Sequence, residues 1–188
     1  MQEDIKKALE VLRNGGVILY PTDTIWGIGC DATNKEAVQR IYEIKKRKDN
    51  KSMIVLVDSV GRLTNYIDEI PDIAYDLMEV SDKPLTVILE GAKNLAENVI
   101  NQKDKSIGVR LVNEVFCQRL IQQLKKPIVS TSANISSESS AKTFAEISDE
   151  IIKQVDFVVN YRQDDALKCN PSGIIKISKN GEIKVIRE

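Results

Sequence analysis

The chain is 188 residues long, with 27 Lys and Arg against 28 Asp and Glu, three cysteines and no histidine. A folded chain of this mass buries roughly 70% of its extended surface, so one core and a single domain over residues 1–188 are expected. Without histidine there is no Ser-His-Asp or Cys-His chemistry, no imidazole base near neutral pH and no histidine-ligated zinc or haem.

The net charge of −1 argues against a broad nucleic-acid-coating surface, which is basic overall. The longest apolar run, residues 53–57, is far short of a membrane span. The N-terminal Met1-Gln-Glu-Asp4 is acidic and matches no signal or transit peptide. Cys30, Cys117 and Cys169 are far apart with no C-x-x-C pair, which reads as free thiols in a reducing compartment. A cytoplasmic protein without membrane contact is therefore expected.

Residues 4–14 place Ile5, Ala8, Leu9 and Leu12 on one helical face, and Gly15-Gly16 stops the helix. Residues 17–20 read as a buried strand and 21–31 as a loop. Thr33-Asn-Lys-Glu36 is a capping box for a helix running to about Arg47. Residues 53–57 are a second buried strand, followed by helical patterns over 60–67 and 72–80. Residues 85–89 and 107–111 read as strands, 114–126 as a helix and 127–131 as a strand. The serine-rich 132–142 is a loop, and Thr143-Phe-Ala-Glu146 opens another capped helix to about Val155. Residues 157–159 are a strand and 160–172 a polar loop. Residues 173–178 and 183–187 flank Asn180-Gly181, a two-residue hairpin signal. The pattern predicts an α/β fold with an open, twisted, mixed sheet.

Five features carry chemistry. Gly27-Ile-Gly29-Cys-Asp-Ala32 fits G-x-G-x-x-A after a strand, with Asp58 as a ribose-binding acid. Six residues, however, separate strand from first glycine where a dinucleotide site needs a tight turn, and Asp31 stands where a pyrophosphate would approach. The stretch from Lys45 to Lys51 holds five cations and one anion; it suits either a helix C-terminus or a polyanion such as a triphosphate. Ser130-Thr-Ser-Ala-Asn134-Ile-Ser136 leaves a strand end and reads as a polar-ligand loop or a capped turn. Arg110 sits inside the apolar strand Ile107-Gly-Val-Arg-Leu111, facing either solvent or a cleft where an anion must pair with it. Tyr20-Pro21-Thr22-Asp23-Thr24 is a turn or a ligand wall, and Trp26 is core or pocket wall.

These segments together resemble the YrdC-like threonylcarbamoyl-adenylate synthase family. The resemblance runs from Val17 to Arg187 and rests on Tyr20-Pro-Thr-Asp-Thr24 with Gly27-Ile-Gly29, Lys45-Lys-Arg47 with Lys51, and Gly108-Val-Arg110. Ser130-Thr-Ser-Ala-Asn134-Ile-Ser136, Asn170-Pro-Ser172 and Arg187 complete it. Where many members have a proline and then a histidine after the arginine, this chain has Val112 and Glu114. The resemblance implies a YrdC-like fold with a basic concave ligand surface. It implies synthesis of threonylcarbamoyl-adenylate and pyrophosphate from L-threonine, bicarbonate and ATP with Mg²⁺. A separate tRNA threonylcarbamoyl transferase system uses the product, and contact with tRNA or double-stranded RNA is a further expectation. By position, Lys45, Arg47, Lys51, Ser132, Asn134 and Arg187 hold ATP, while Thr22, Thr24, Ser106, Arg110 and Ser172 hold threonine. No metal ligand and no general base is assigned; Lys45, Arg47 and Lys51 act by position and charge. The other implied reading is a YciO-like RNA- or nucleotide-binding protein without this activity.

Overall fold

A computed structural model describes residues 1–188 except 47–52, 137, 167 and 168. Helix α1 (Gln2–Arg13) ends where Gly15 takes φ +76, a left-handed turn that lets its amide reach the Leu12 carbonyl. Strand β1 (Ile18–Tyr20) turns back through residues 21–26 into β2 (Gly27–Gly29), and helix α2 is Lys35–Ile44. Then come β3 (Ile54–Val57), a 3-10 turn (Val60–Asn65), α3 (Asp72–Val80), β4 (Leu85–Leu89) and β5 (Ile107–Leu111). Helix α4 (Val115–Leu124), β6 (Ile128–Ser132), a 3-10 turn (Phe144–Glu146), α5 (Asp149–Ile152) and β7 (Phe157–Val158) follow. The hairpin of β8 (Gly173–Ile177) and β9 (Ile183–Arg187) comes last.

The strands form one mixed sheet in the order β7-β1-β2-β6-β3-β5-β4-β8-β9. The pairs β1–β7, β3–β5 and β4–β8 are parallel and the remaining neighbours antiparallel. Alternation along the strands sends side chains to two cores. Ile18, Tyr20, Leu56 and Ile128 meet α1 and α4 through Ile5, Leu12, Phe116, Leu120 and Ile121. Val17, Leu19, Val55, Val57 and Val129 meet the other face through Val38, Ile41, Ala74, Met78 and Ile151. Helices pack on both faces, but α1 and α4 meet only part of theirs.

Five local details differ from expectation. The loop expected over 21–31 contains β2, whose Ile28 lies between the Leu19 and Thr131 positions. The α2 cap is Asn34, whose Oδ1 accepts from the Ala37 amide at 2.9 Å, because the Thr33 hydroxyl is donated to Asp31 Oδ1 at 2.7 Å. The helix expected from Thr143 to Val155 breaks at Ile147 and Ser148 into a 3-10 turn and the short α5. The break lets Phe144 pack on Trp26, with ring centroids 4.9 Å apart, while Ile147 and Ile151 are both buried. The last hairpin has a three-residue loop: Ser178 N donates to Glu182 O, Gly181 N donates to Ser178 O, and Gly181 has φ +83. This is a turn closed by a left-handed glycine, as longer hairpins use. The 60–67 segment is a 3-10 turn rather than an α-helix.

Candidate functional site

The turn between β1 and β2 is held by its own threonines. Thr22 Oγ1 donates to the Ile25 carbonyl (2.7 Å), accepts from the Thr24 amide (3.0 Å) and lies 2.9 Å from Thr24 Oγ1. Between the threonines, Asp23 Oδ1 is 3.1 Å from Arg110 Nη2, and Asp23 Oδ2 accepts from the Asn113 amide. Arg110 comes from β5 and is only 3% exposed, so it faces inward, with Nη2 also 3.5 Å from Thr22 Oγ1. Its Nε is buried without a hydrogen-bond partner. A buried guanidinium with an unpaired N–H is costly unless an acceptor enters.

Arg110 forms part of the wall of a cleft of about 210 Å³. Thr24, Trp26, Gly27, Ser130, Thr131 and Ser132 line one side, Thr86, Arg110, Ser172 and Arg187 the other, and Met53, Ile54 and Ile174 supply apolar surface. Thr86 and Ser172 hydroxyls are 2.8 Å apart, and Arg187 donates to the Ser172 carbonyl from Nε and Nη2. A Cβ on Gly27 would sit 3.1 Å from Ser130 Oγ, so glycine keeps this wall open. Among the described lining residues there are two guanidinium groups and no carboxylate. Such a lining suits an anionic, hydroxyl-bearing ligand.

The structure brings Thr24, Arg110, Ser130, Ser132, Ser172 and Arg187 together. Thr22 lies behind the wall, reaching it through Thr24 and Arg110. Three placements differ from expectation. Lys45 is 2% exposed and donates from Nζ to the Ser132 and Asn134 carbonyls at 2.5 and 2.7 Å, so it clamps the chain after β6. Asn134 is outside the cleft lining, its Nδ2 donating to the Ile135 and Glu138 carbonyls. Ser106 also lies outside it, before β5, its hydroxyl bonded to Asp104 Oδ1 at 2.6 Å. Arg47 and Lys51 lie outside the described residues. Lys46 Nζ pairs with Glu150 at 2.6 Å.

Thr86 is a lining residue that sequence reading overlooked; the available signal is one hydroxyl in the apolar strand Leu85-Thr-Val-Ile-Leu89. The glycine pattern at 27–32 is no dinucleotide turn. Gly27 and Gly29 lie within β2, Asp31 pairs with Lys126 at 2.6 Å, and Asp58 pairs with Arg62 at 2.6 Å.

Behind the turn, the Cys117 thiol donates to the Pro21 carbonyl at 3.3 Å. Burial pushes that thiol well above its ordinary range, reinforced by the Glu114 and Asp23 charges. Glu114, where the resemblance led to a histidine, caps α4: its Oε2 accepts from the Cys117 amide at 2.9 Å. Burial raises its pKa, opposed by that amide and by Arg162. A second cavity, about 630 Å³, carries Asp23, Asp58, Glu79, Asp82 and Glu114 against Lys83 and Arg162, a charge balance unsuited to an anion. Among the described residues no group of three or more His, Cys, Asp or Glu is arranged to hold a metal, and no helix is long and apolar enough to cross a membrane.

Fold and cleft define the class: an open mixed α/β sheet with a hydroxyl-lined, anion-receptive cleft across its middle strands. More particularly, the chain belongs to the Sua5/YciO/YrdC family, described as "Telomere recombination", which it matches over residues 10–188. A relative from Pseudoalteromonas translucida (strain TAC 125), named threonylcarbamoyl-AMP synthase, is 36% identical over 186 residues and 97% of each chain. Escherichia coli (strain K12) YciO, named as an uncharacterized protein, is 31% identical over 190 residues, covering 100% of this chain and 89% of its own. The E. coli YciO crystal structure has a TM-score of 0.86 at 29% identity, covering 100% of this chain and 90% of that one. P. abyssi Sua5 complexed with L-threonine has a TM-score of 0.83 at 24% identity. It covers 94% of this chain and 52% of its own, so this chain spans about half the length of Sua5.

Proposed function

We propose that this protein is an L-threonylcarbamoyladenylate synthase, making threonylcarbamoyl-AMP and pyrophosphate from L-threonine, bicarbonate and ATP for modification of adenosine 37 in tRNA. The observation that carries the reading is Arg110, buried in the wall of a cleft whose described lining also offers the hydroxyls of Thr24 and Ser172 and holds no carboxylate. Threonine places its carboxylate on Arg110 and its polar groups on those hydroxyls. The 36% identity to a named synthase across the whole chain supports the choice.

Both nucleophiles then come from substrates. The threonine nitrogen bonds to the bicarbonate carbon; water and a proton leave, giving a carbamate. A carbamate oxygen bonds to the α-phosphorus as the bond to the β-phosphate oxygen breaks, and pyrophosphate departs. The protein's task is position and charge. Ser132 and Arg187, from opposite walls of the cleft, are the proposed ATP contacts there, and Lys45 fixes the backbone carrying Ser132. Arg47 and Lys51 are proposed to meet the phosphates. Magnesium enters as part of the ATP substrate, since the described cleft lining holds no carboxylate to bind it. A tRNA threonylcarbamoyl transferase system consumes the product.

Purified protein given ATP, L-threonine and radiolabelled bicarbonate is expected to release pyrophosphate only with threonine present and to form labelled adenylate. Arg110→Met is expected to abolish both. Absence of labelled adenylate and of threonine-dependent pyrophosphate in the parent protein would sink the reading. A second reading, YciO-like RNA or nucleotide binding without synthesis, is favoured by the whole-chain likeness to E. coli YciO. It predicts salt-dependent RNA binding indifferent to ATP and threonine.

A further inference from the structure

We infer that Arg162 is a positioning residue for the threonine side of the cleft, bracing the 22–24 turn from behind. The inference rests on the reading of Thr24 and Arg110 as threonine contacts. Arg162 lies in the segment that leads from β7 back to the cleft at Pro171 and Ser172. The start of this segment is pinned. Asp4 of α1 accepts from the Asn160 amide, Asn160 Nδ2 and the Tyr161 amide, and the Tyr161 ring stacks on Phe116 at 6.2 Å.

Arg162 itself has φ +67, a region that residues with a Cβ enter only when surrounding contacts hold them there. Those contacts are specific. Nε donates to Asp165 Oδ2 at 2.6 Å, Nη1 donates to the Thr22 carbonyl at 3.1 Å, and Nη1 is 4.0 Å from Glu114 Oε1. The planar guanidinium thus joins its own loop to the turn in a fixed direction.

The turn needs such braces because its side chains are used inward. Three consecutive residues are held from outside, two by the 113–117 stretch that opens α4 and one by Arg162. Cys117 Sγ donates to the Pro21 carbonyl, Arg162 to the Thr22 carbonyl, and the Asn113 amide to Asp23 Oδ2. Thr22 in turn sets Thr24 through its hydroxyl, and Asp23 sets Arg110. Releasing Thr22 therefore loosens two cleft groups at once, and neither Ser132 nor Arg187 depends on it.

The test compares the parent chain with Arg162→Met and Arg162→Lys. Hydrogen exchange at the Thr24 amide, which is bonded to Thr22 Oγ1, reads the turn without ligand. Emission of Trp26, the chain's single tryptophan and part of the cleft wall, reads titrations with L-threonine and with ATP. Arg162→Met is expected to speed Thr24 exchange and to weaken threonine binding about tenfold while ATP binding stays within about twofold. Arg162→Lys, which can still donate to the Thr22 carbonyl, is expected to restore most of both. Unchanged Thr24 exchange, or equal losses for threonine and ATP, overturns the inference. Should Arg162→Met fail to fold, Asp165→Asn, which loosens the guanidinium from its loop, is read the same way. A parent protein that binds no threonine removes the reading of the site, while Thr24 exchange still decides whether Arg162 braces the turn.

Discussion

Asp156 receives three hydrogen bonds where α2 approaches β1 and β7: from the Val17 amide at 2.7 Å and from Arg40 Nη1 and Nη2 at 2.7 and 3.1 Å. The Arg40 contact, helped by that amide, holds its carboxyl below the usual Asp range. A carboxylate depressed in the folded state contributes stability that is present above its unfolded pKa and fades as pH falls through the folded value. The side chain is 39% exposed, so solvent screens the pair. Asp156→Asn is expected to cost about 1 kcal/mol at pH 7. The difference from the parent in urea melts should shrink as pH drops below the ordinary Asp range; a gap that persists in acid contradicts the assignment. At this scale legibility is uneven. Arg110 stands out in the sequence because a charge in an apolar strand needs a partner. Lys45, read as a helix C-terminus or a polyanion contact, is the C-cap of α2, but a basic run gives no sign that two carbonyls lie over its ammonium.

Short elements carry the site, and short elements are the ones periodicity misses. β2 is three residues, Gly-Ile-Gly, too brief for alternation to register. Its glycines follow from neighbours rather than from turn chemistry. A Cβ on Gly29 would lie 2.4 Å from the Val129 carbonyl and 2.7 Å from Tyr20 Cε1. Because backbone and a buried ring cannot both retreat, Gly29→Ala is expected to destabilise by about 3 kcal/mol. Chemical denaturation reads this directly, and a loss below 1 kcal/mol would mean that β2 shifts freely. The longer elements, α1, α3, α4, β4 and β5, fall within a residue or two of the periodic segments, since each buries a regular stripe. The 143–155 region fails for a physical reason: Ile147 and Ile151 have helical spacing, but burying Phe144 against Trp26 as well requires a break.

For the whole molecule, α/β class and mixed sheet are readable from alternating helices and buried strands. Strand order is not, because local pattern says nothing about which strands become neighbours. The order places β2, β6, β3, β5, β4, β8 and β9 side by side, with cleft residues drawn from each of β2, β6, β3, β5, β4, β8 and β9. If threonine and ATP share this cleft, their binding is linked to global stability. A ligand at a hundred times its Kd is expected to add about 2.7 kcal/mol, or roughly 5–10 °C in Tm for a chain of this size. Threonine and ATP together should raise Tm beyond the sum of their separate effects. Strictly additive shifts would argue for independent sites.

One cleft is walled by Thr24 near the start of the chain and Arg187 on the last strand, with β3, β5 and β6 between them. No local segment holds even half of it. Sheets joined by such distant pairings close late and slowly, because loop entropy is lost before contacts repay it. The cleft is therefore complete only when the β8–β9 hairpin docks. A partly folded chain that lacks this hairpin carries only fragments of the cleft wall.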